Sequence, residues 1–245
     1  MIRLIEVKNY RCLKYISQPI SRFQVLIGSN ASGKTTFFDV VNFISDIVSD
    51  GIDKAIANRT SNFNELTFAN RGGMIELAIE VELPKEILQQ LFDSDFNTIR
   101  YEIRFCLNKE TNEHEIDEER VTLLRIIENF GLNPLMHNLH LISNSKTEPN
   151  SILNKEYDID YYKQIIEKTP KYFDNYNIET KLLNNNYFDY AMTFKLGSKK
   201  SALGNLPADE TKFPASTWLK SFLTEGIQTF ILDSQNIKKA SPPGQ

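Results

Sequence analysis

The sequence predicts an α/β fold arranged around a phosphate-binding loop, and three observations predict it. Gly28-Ser29-Asn30-Ala31-Ser32-Gly33-Lys34-Thr35 fits G-x-x-x-x-G-K-[ST]. The apolar run Phe23-Gln24-Val25-Leu26-Ile27, of strand character, stands directly before it, and apolar residues at helical spacing fill residues 36–47 after it. Further along, segments such as residues 75–83 alternate apolar and acidic residues with period two, the pattern of a half-buried antiparallel strand.

The loop's residue types follow from its chemistry. A loop that wraps a polyphosphate turns its backbone N–H groups inward, so Gly28 and Gly33 remove a Cβ that would clash or strain the backbone. Those donors and the positive end of the following helix hold the anion. Lys34 is the candidate catalytic cation, its ammonium set against the β- and γ-phosphates, and the Thr35 hydroxyl is the hard oxygen ligand that Mg²⁺ accepts. Ser29, Asn30, Ala31 and Ser32 line the turn, and Thr36 adds a further hydroxyl. The loop alone does not separate ATP from GTP, or hydrolysis from binding.

Composition narrows the classes. A chain of 245 residues with 41% apolar content can bury a full core, as one large domain or one domain with an inserted lobe. The net charge of −4 gives no global basic field for nucleic acid, so a DNA-binding structural protein is the weakest reading. Cys12 and Cys106 lie far apart without metal-ligand spacing and read as reduced, buried thiols of a cytoplasmic protein. Residues 1–6 are too charged for a signal peptide, and no apolar run approaches the ~18 residues of a membrane span.

In chain order, Ile2, Leu4, Ile5 and Val7 begin a strand ending near Asn9-Tyr10, residues 12–17 form its partner, and Pro19 ends it. Residues 48–74 read as a loop-rich insertion anchored by Ile56, Phe63, Leu66 and Phe68. Strands are expected over 75–83, 99–107 and 116–124, with a short helix over 85–92. The acids Asp117-Glu118-Glu119 read as a solvated strand edge. From 125 to 190 the chain reads as helical and polar. Its tyrosines and lysines are of the kind that line a single-strand path, but interleaved acids favour a solvated face. His137 and His140 share helical spacing without a third ligand, and with His114 read as surface or packing histidines. A helix is expected over 214–223 and an apolar strand over 228–234. The latter imitates a Walker B strand, but Ser234 stands where a catalytic Glu is expected.

Residues Ile5-Glu6-Val7-Lys8-Asn9-Tyr10-Arg11-Cys12-Leu13, followed by Val25-Leu26-Ile27 and the loop through Thr36, resemble the amino-terminal signature of the RecF/SMC/OLD branch of ABC-type ATPases. That branch carries Asn-aromatic-Arg on its first hairpin and G-x-N-[AG]-S-G-K-[ST] in its loop. The resemblance is close over 1–47 and looser over 75–124 and 193–243. It implies an α/β P-loop NTPase of ABC-ATPase type with an antiparallel β-lobe and a helical insertion. It also implies that Arg11 meets the phosphate or sugar side of the nucleotide, that Asn30 is the loop asparagine, and that Glu119 with Val121 matches a structural S-E-x-L element. Ala31 is similar to the OLD-like and RecF-like variant rather than to transporter ATPases.

By that resemblance, residues 1–50 are the P-loop hairpin and helix, 75–124 the β-lobe, 125–192 the helical insertion and 193–245 the end of the first half-core. A Walker B pair and a signature loop are not in these residues, so the reading expects an amino-terminal part of an ATPase core. The implied function is ATP binding and hydrolysis with Mg²⁺, through a nucleotide-bridged homodimer. DNA, phage defence and a partner nuclease form its setting, and no membrane is involved. The alternative is a nucleotide-gated interaction module without turnover.

Overall fold

The structure, a computed structural model, describes residues 1–127, 148–153, 159–169, 173–180 and 192–230. Its strands are β1 (Ile2–Tyr10), β2 (Leu13–Pro19), β3 (Ile75–Glu82), β4 (Thr98–Leu107), β5 (His114–Leu124), β6 (Tyr162–Lys168), β7 (Asp174–Tyr176) and β8 (Met192–Phe194). The helices are α1 (Lys34–Asp50), α2 (Ile52–Ala57), α3 (Lys85–Leu88) and α4 (Pro214–Thr224). All eight strands join one sheet in the order β2-β1-β3-β4-β5-β6-β7-β8, every pair antiparallel.

Period-two alternation sets one apolar face. Ile5 pairs with Ile79, Ile79 with Tyr101, and Tyr101 with Val121, so these side chains lie in one row across four strands. Helix α1 packs here because Phe37, Val40, Val41, Ile44, Ile47 and Val48 fall at helical spacing on one side. The ring of Phe43 meets those of Tyr10 and Phe105 at 5.5 and 5.3 Å. Helix α4 lies against α1, where the Ser45 hydroxyl donates to the Leu223 carbonyl at 2.7 Å.

The opposite face departs from expectation. The acids of β3 should meet water, yet Glu76 and Glu80 are buried, as is Glu102 on β4, and Arg100 is wholly enclosed. Residues 148–153 cover them: Ile152 and Leu153 sink beside Ala78, and the Ile152 N–H donates to Glu76 at 2.7 Å. Arg100 pairs with Glu6 at 2.6 Å, with Glu80 at 2.8 Å and with Glu102, and donates to the Ile152 carbonyl. Buried ions need such matched partners, and this need makes the match specific.

Other differences have local causes. Residues 23–27 form no strand in the described sheet: Phe23 and Ile27 are 83% and 92% exposed, and β2, the nearest strand in sequence, ends at Pro19. A short apolar segment becomes a strand only when neighbours take its N–H and C=O groups. Residues 48–74 hold more structure than a loop, with α2 and two 3₁₀ turns, Phe63–Leu66 and Phe68–Asn70. The helix expected over 85–92 is the four-residue α3.

The described part of the expected helical insertion holds strands β6 and β7 instead, because Tyr162, Ile165 and Ile166 suit a half-buried ladder beside β5. Glu119 is not at a solvated edge. It is fully buried and accepts from the Tyr101 and Ser201 hydroxyls and the Ala202 and Leu203 N–H groups, tying the turn at 201–204 to β5. Burial pushes its carboxyl up, against the pull of those bonds. Residues 228–230 carry no strand, while 231–245, His137, His140 and the asparagines at 184–186 lie outside the described residues. His114 packs on Phe63 and pairs with Asp53. No described helix is long and apolar enough to cross a membrane.

Candidate phosphate-binding site

The site begins at the turn between β1 and β2. Asn9 and Arg11 both adopt left-handed backbone, at φ 60° and 49°, which a short Asn side chain tolerates best. The Asn9 amide Nδ2 donates to the carbonyls of Gly72 and Met74 at 3.2 and 2.8 Å, and its Oδ1 accepts from the Phe68 N–H at 3.0 Å. The Arg11 N–H donates to the Leu66 carbonyl at 2.7 Å. The hairpin tip is thereby clamped to the segment 66–74.

Tyr10 points the other way, into the core, and its hydroxyl donates to Asp39 on α1. Burial first, and then the Asp39 carboxylate, push the Tyr10 hydroxyl well above the usual tyrosine range, so it stays a donor. Arg59 binds the same carboxylate at 2.9 Å and Asp46 at 2.6 Å, and lies over the Phe43 ring. Burial works against its charge, but the bonds to Asp39 and Asp46 prevail and hold it a cation.

The loop lies against this hairpin. Gly33 has φ 91°, and a Cβ there would meet the Cys12 sulfur at 3.1 Å, so backbone and space both require glycine. At Gly28 a Cβ would stand 2.7 Å from the Ser32 hydroxyl, a contact that a turn of the serine side chain relieves. Ala31 takes φ 61° without that freedom. The Lys34 ammonium is held across the loop by the Gly28 and Ser29 carbonyls at 2.8 and 2.7 Å and by Ser32 Oγ at 3.2 Å. Cys12, expected to be buried, is exposed beside the loop and reaches Thr36 Oγ1 at 3.5 Å, joining hairpin to helix, and Cys106 is only partly covered.

Among the described residues, the N–H groups of Asn30, Ala31, Gly33, Lys34 and Thr35 have no protein acceptor, and the Thr35 hydroxyl is exposed and without a partner. With the N-terminus of the 17-residue α1 behind them, these groups fit an anion, and the donor set fits a triphosphate with Mg²⁺ at Thr35. Beside the hairpin lies a cavity of about 620 Å³ lined by the cations Arg11 and Arg59, the acid Glu65, and Cys12, Thr60 and Leu66, among others. Ser29, Asn30 and Ser32 are exposed on the loop, and Arg11 is half-buried at the cavity wall.

Two side chains of this constellation, Asp39 and Arg59, carry no pattern that assigns them a role, and the clamp made by Asn9 is not legible from its place in the Asn-aromatic-Arg element. Asp39 and Arg59 stand 20 residues apart and meet only because α1 and α2 fold back on each other.

The family model described as AAA ATPase domain matches residues 1–241. A solved structure described as "Structural biochemistry of ATP-driven dimerization and DNA stimulated activation of SMC ATPases" is 22% identical, with a TM-score of 0.34, over 47% of this chain and 67% of its own. No curated protein matches the chain.

Proposed function

Because the chain belongs to the AAA ATPase domain family, matched over residues 1–241, we propose that the loop at 28–36 binds Mg·ATP and that the chain takes part in ATP hydrolysis. The observation that carries this reading is the set of acceptor-free N–H groups of Asn30, Ala31, Gly33, Lys34 and Thr35, with the Lys34 ammonium held across the loop. The loop amides and the positive end of α1 hold the phosphate oxygens, and Lys34 places a full charge between the β and γ groups. All three of its donors are engaged by the loop, so a phosphate must displace at least one of these contacts to reach the ammonium. Arg11 brings a second cation from the hairpin side. The Thr35 hydroxyl would hold Mg²⁺, which would supply charge neutralisation for the phosphates.

The finer parts of the proposal follow the family resemblance of residues 5–36. They are a homodimer closed through the nucleotide, action on DNA, a setting in phage defence and a partner nuclease.

The test is calorimetric titration with Mg·ATP and a non-hydrolysable analogue, together with phosphate release, for wild type and Lys34→Ala. A charge-assisted hydrogen bond is worth about 1.5–3 kcal/mol, so the variant should bind about 10- to 100-fold more weakly. Equal affinities would remove the loop from the function. Binding without phosphate release would leave a nucleotide-gated interaction module.

A further inference from the structure

Two arginines approach Asp39, and they share it unequally. Arg59 donates through Nε to both Asp39 oxygens at 3.2 Å and through Nη2 to Oδ1 at 2.9 Å. Its Nη1 donates to Asp46 at 2.6 Å and to the Ala55 carbonyl at 2.9 Å. At 7% side-chain exposure it is fixed on every edge. The Tyr10 hydroxyl takes a further lone pair of Asp39 Oδ2.

A carboxylate offers about four acceptor positions; three hydrogens, the Arg59 Nε–H being shared, make four contacts to Asp39, so both of its oxygens are engaged. Arg11, 34% exposed, comes only to 3.6 Å of Oδ2, and its side chain makes no hydrogen bond among the described residues. It lies over the Tyr10 ring at 5.6 Å and lines the cavity that Arg59 also borders.

We infer that Arg59 is a positioning residue: by saturating Asp39 it keeps the Arg11 guanidinium out of a bidentate ion pair and open to an anionic ligand at the cavity wall. That the anion is the nucleotide's phosphate rests on the function proposed above. The competition is physical. Arginine and carboxylate favour a two-bond fork, and Arg11 is already close enough to form one after a side-chain adjustment. Were Asp39 vacant, a ligand would have to break that fork before using Arg11, and its affinity would fall. Tyr10 alone cannot prevent this, since it fills one position and carries no charge.

The experiment reads Arg11 directly and without nucleotide. Phenylglyoxal adduct formation at Arg11 is followed by peptide mass spectrometry in wild type, Arg59→Met, Arg59→Lys, Asp39→Asn and the Arg59→Met/Asp39→Asn pair, with thermal melts establishing that each is folded. Arg11 should react readily in wild type, about tenfold more slowly in Arg59→Met, and at the wild-type rate again in the double variant. Arg59→Lys, a point charge that cannot fork, should fall between. Mg·ATP affinity should follow the same order.

A purely structural Arg59 predicts the reverse: Arg11 as reactive or more so in Arg59→Met, and a double variant worse than either single one. That pattern overturns the inference, and the Lys variant decides the matter if Arg59→Met does not fold. Should Arg11 reactivity follow the expected order while wild type binds no Mg·ATP, the positioning stands and the nucleotide reading fails.

Discussion

Helix α4 begins without a side-chain cap of its own, because Phe213 occupies the capping position. Glu179, 36 residues before Ala215, supplies it: the carboxylate accepts from the Ala215 and Ser216 N–H groups and from the Ser216 hydroxyl. The residue is fully enclosed, and burial lifts its pKa from 4.5 to about 7 against the pull of those bonds. Between those two values the folded protein holds a proton that the unfolded chain releases. Stability from this group is therefore complete below about pH 4.5 and is lost as pH rises through 7. At ~1.4 kcal/mol per pH unit, the window is worth about 3 kcal/mol.

Glu179→Gln removes the titration and keeps one amide oxygen for the helix. Urea unfolding followed by circular dichroism at pH 5, 6, 7 and 8 should show wild type more stable than the variant at pH 5, with the gap shrinking by about 3 kcal/mol by pH 8. A gap that stays constant across the series refutes the reasoning.

Three further outcomes follow from the structure. Arg100→Met leaves Glu6, Glu80 and Glu102 buried without their shared guanidinium, and should lower unfolding stability by about 3–5 kcal/mol, partly recovered in acid. Ala31→Gly relieves a left-handed alanine at φ 61°, worth about 1–2 kcal/mol, against about 0.5–1 kcal/mol of added chain entropy. A small net gain in melting temperature is expected, and a loss would contradict the strain. Asn9→Ala removes three hydrogen bonds from the 68–74 segment, so hydrogen exchange at the Phe68 amide should accelerate more than tenfold while the amides of β4 keep their protection.

What the sequence made legible was what is written locally. The loop from Gly28 to Thr35, α1, the β1–β2 hairpin and the strands β3 to β5 each follow from a spacing within a dozen residues or so. The strand reading of 23–27 rested on the same local signal but needs lateral neighbours that the described sheet does not provide. Residues 162–168 carry a helix-compatible pattern, and β5 alongside decides for strand. Glu76 and Glu80 looked like a wet face because their cover arrives from residues 148–153, more than 65 positions away. In the site, the glycines and Lys34 were evident as types. The saturation of Asp39 was not, since it needs Tyr10, Arg59 and the helix to meet.

The plug formed by residues 148–153 also bears on how the chain can diverge. Ser151 and Ile152 answer the donors and acceptors of positions 76, 100 and 104 one for one. Ile152 answers with its backbone, which any residue supplies, so it is positions 76, 104 and 151, joined through the Ser151 hydroxyl, that should mutate in concert across a lineage. A splice that exchanges the stretch after β5 must carry this hexapeptide along or bare a slab of stranded ions.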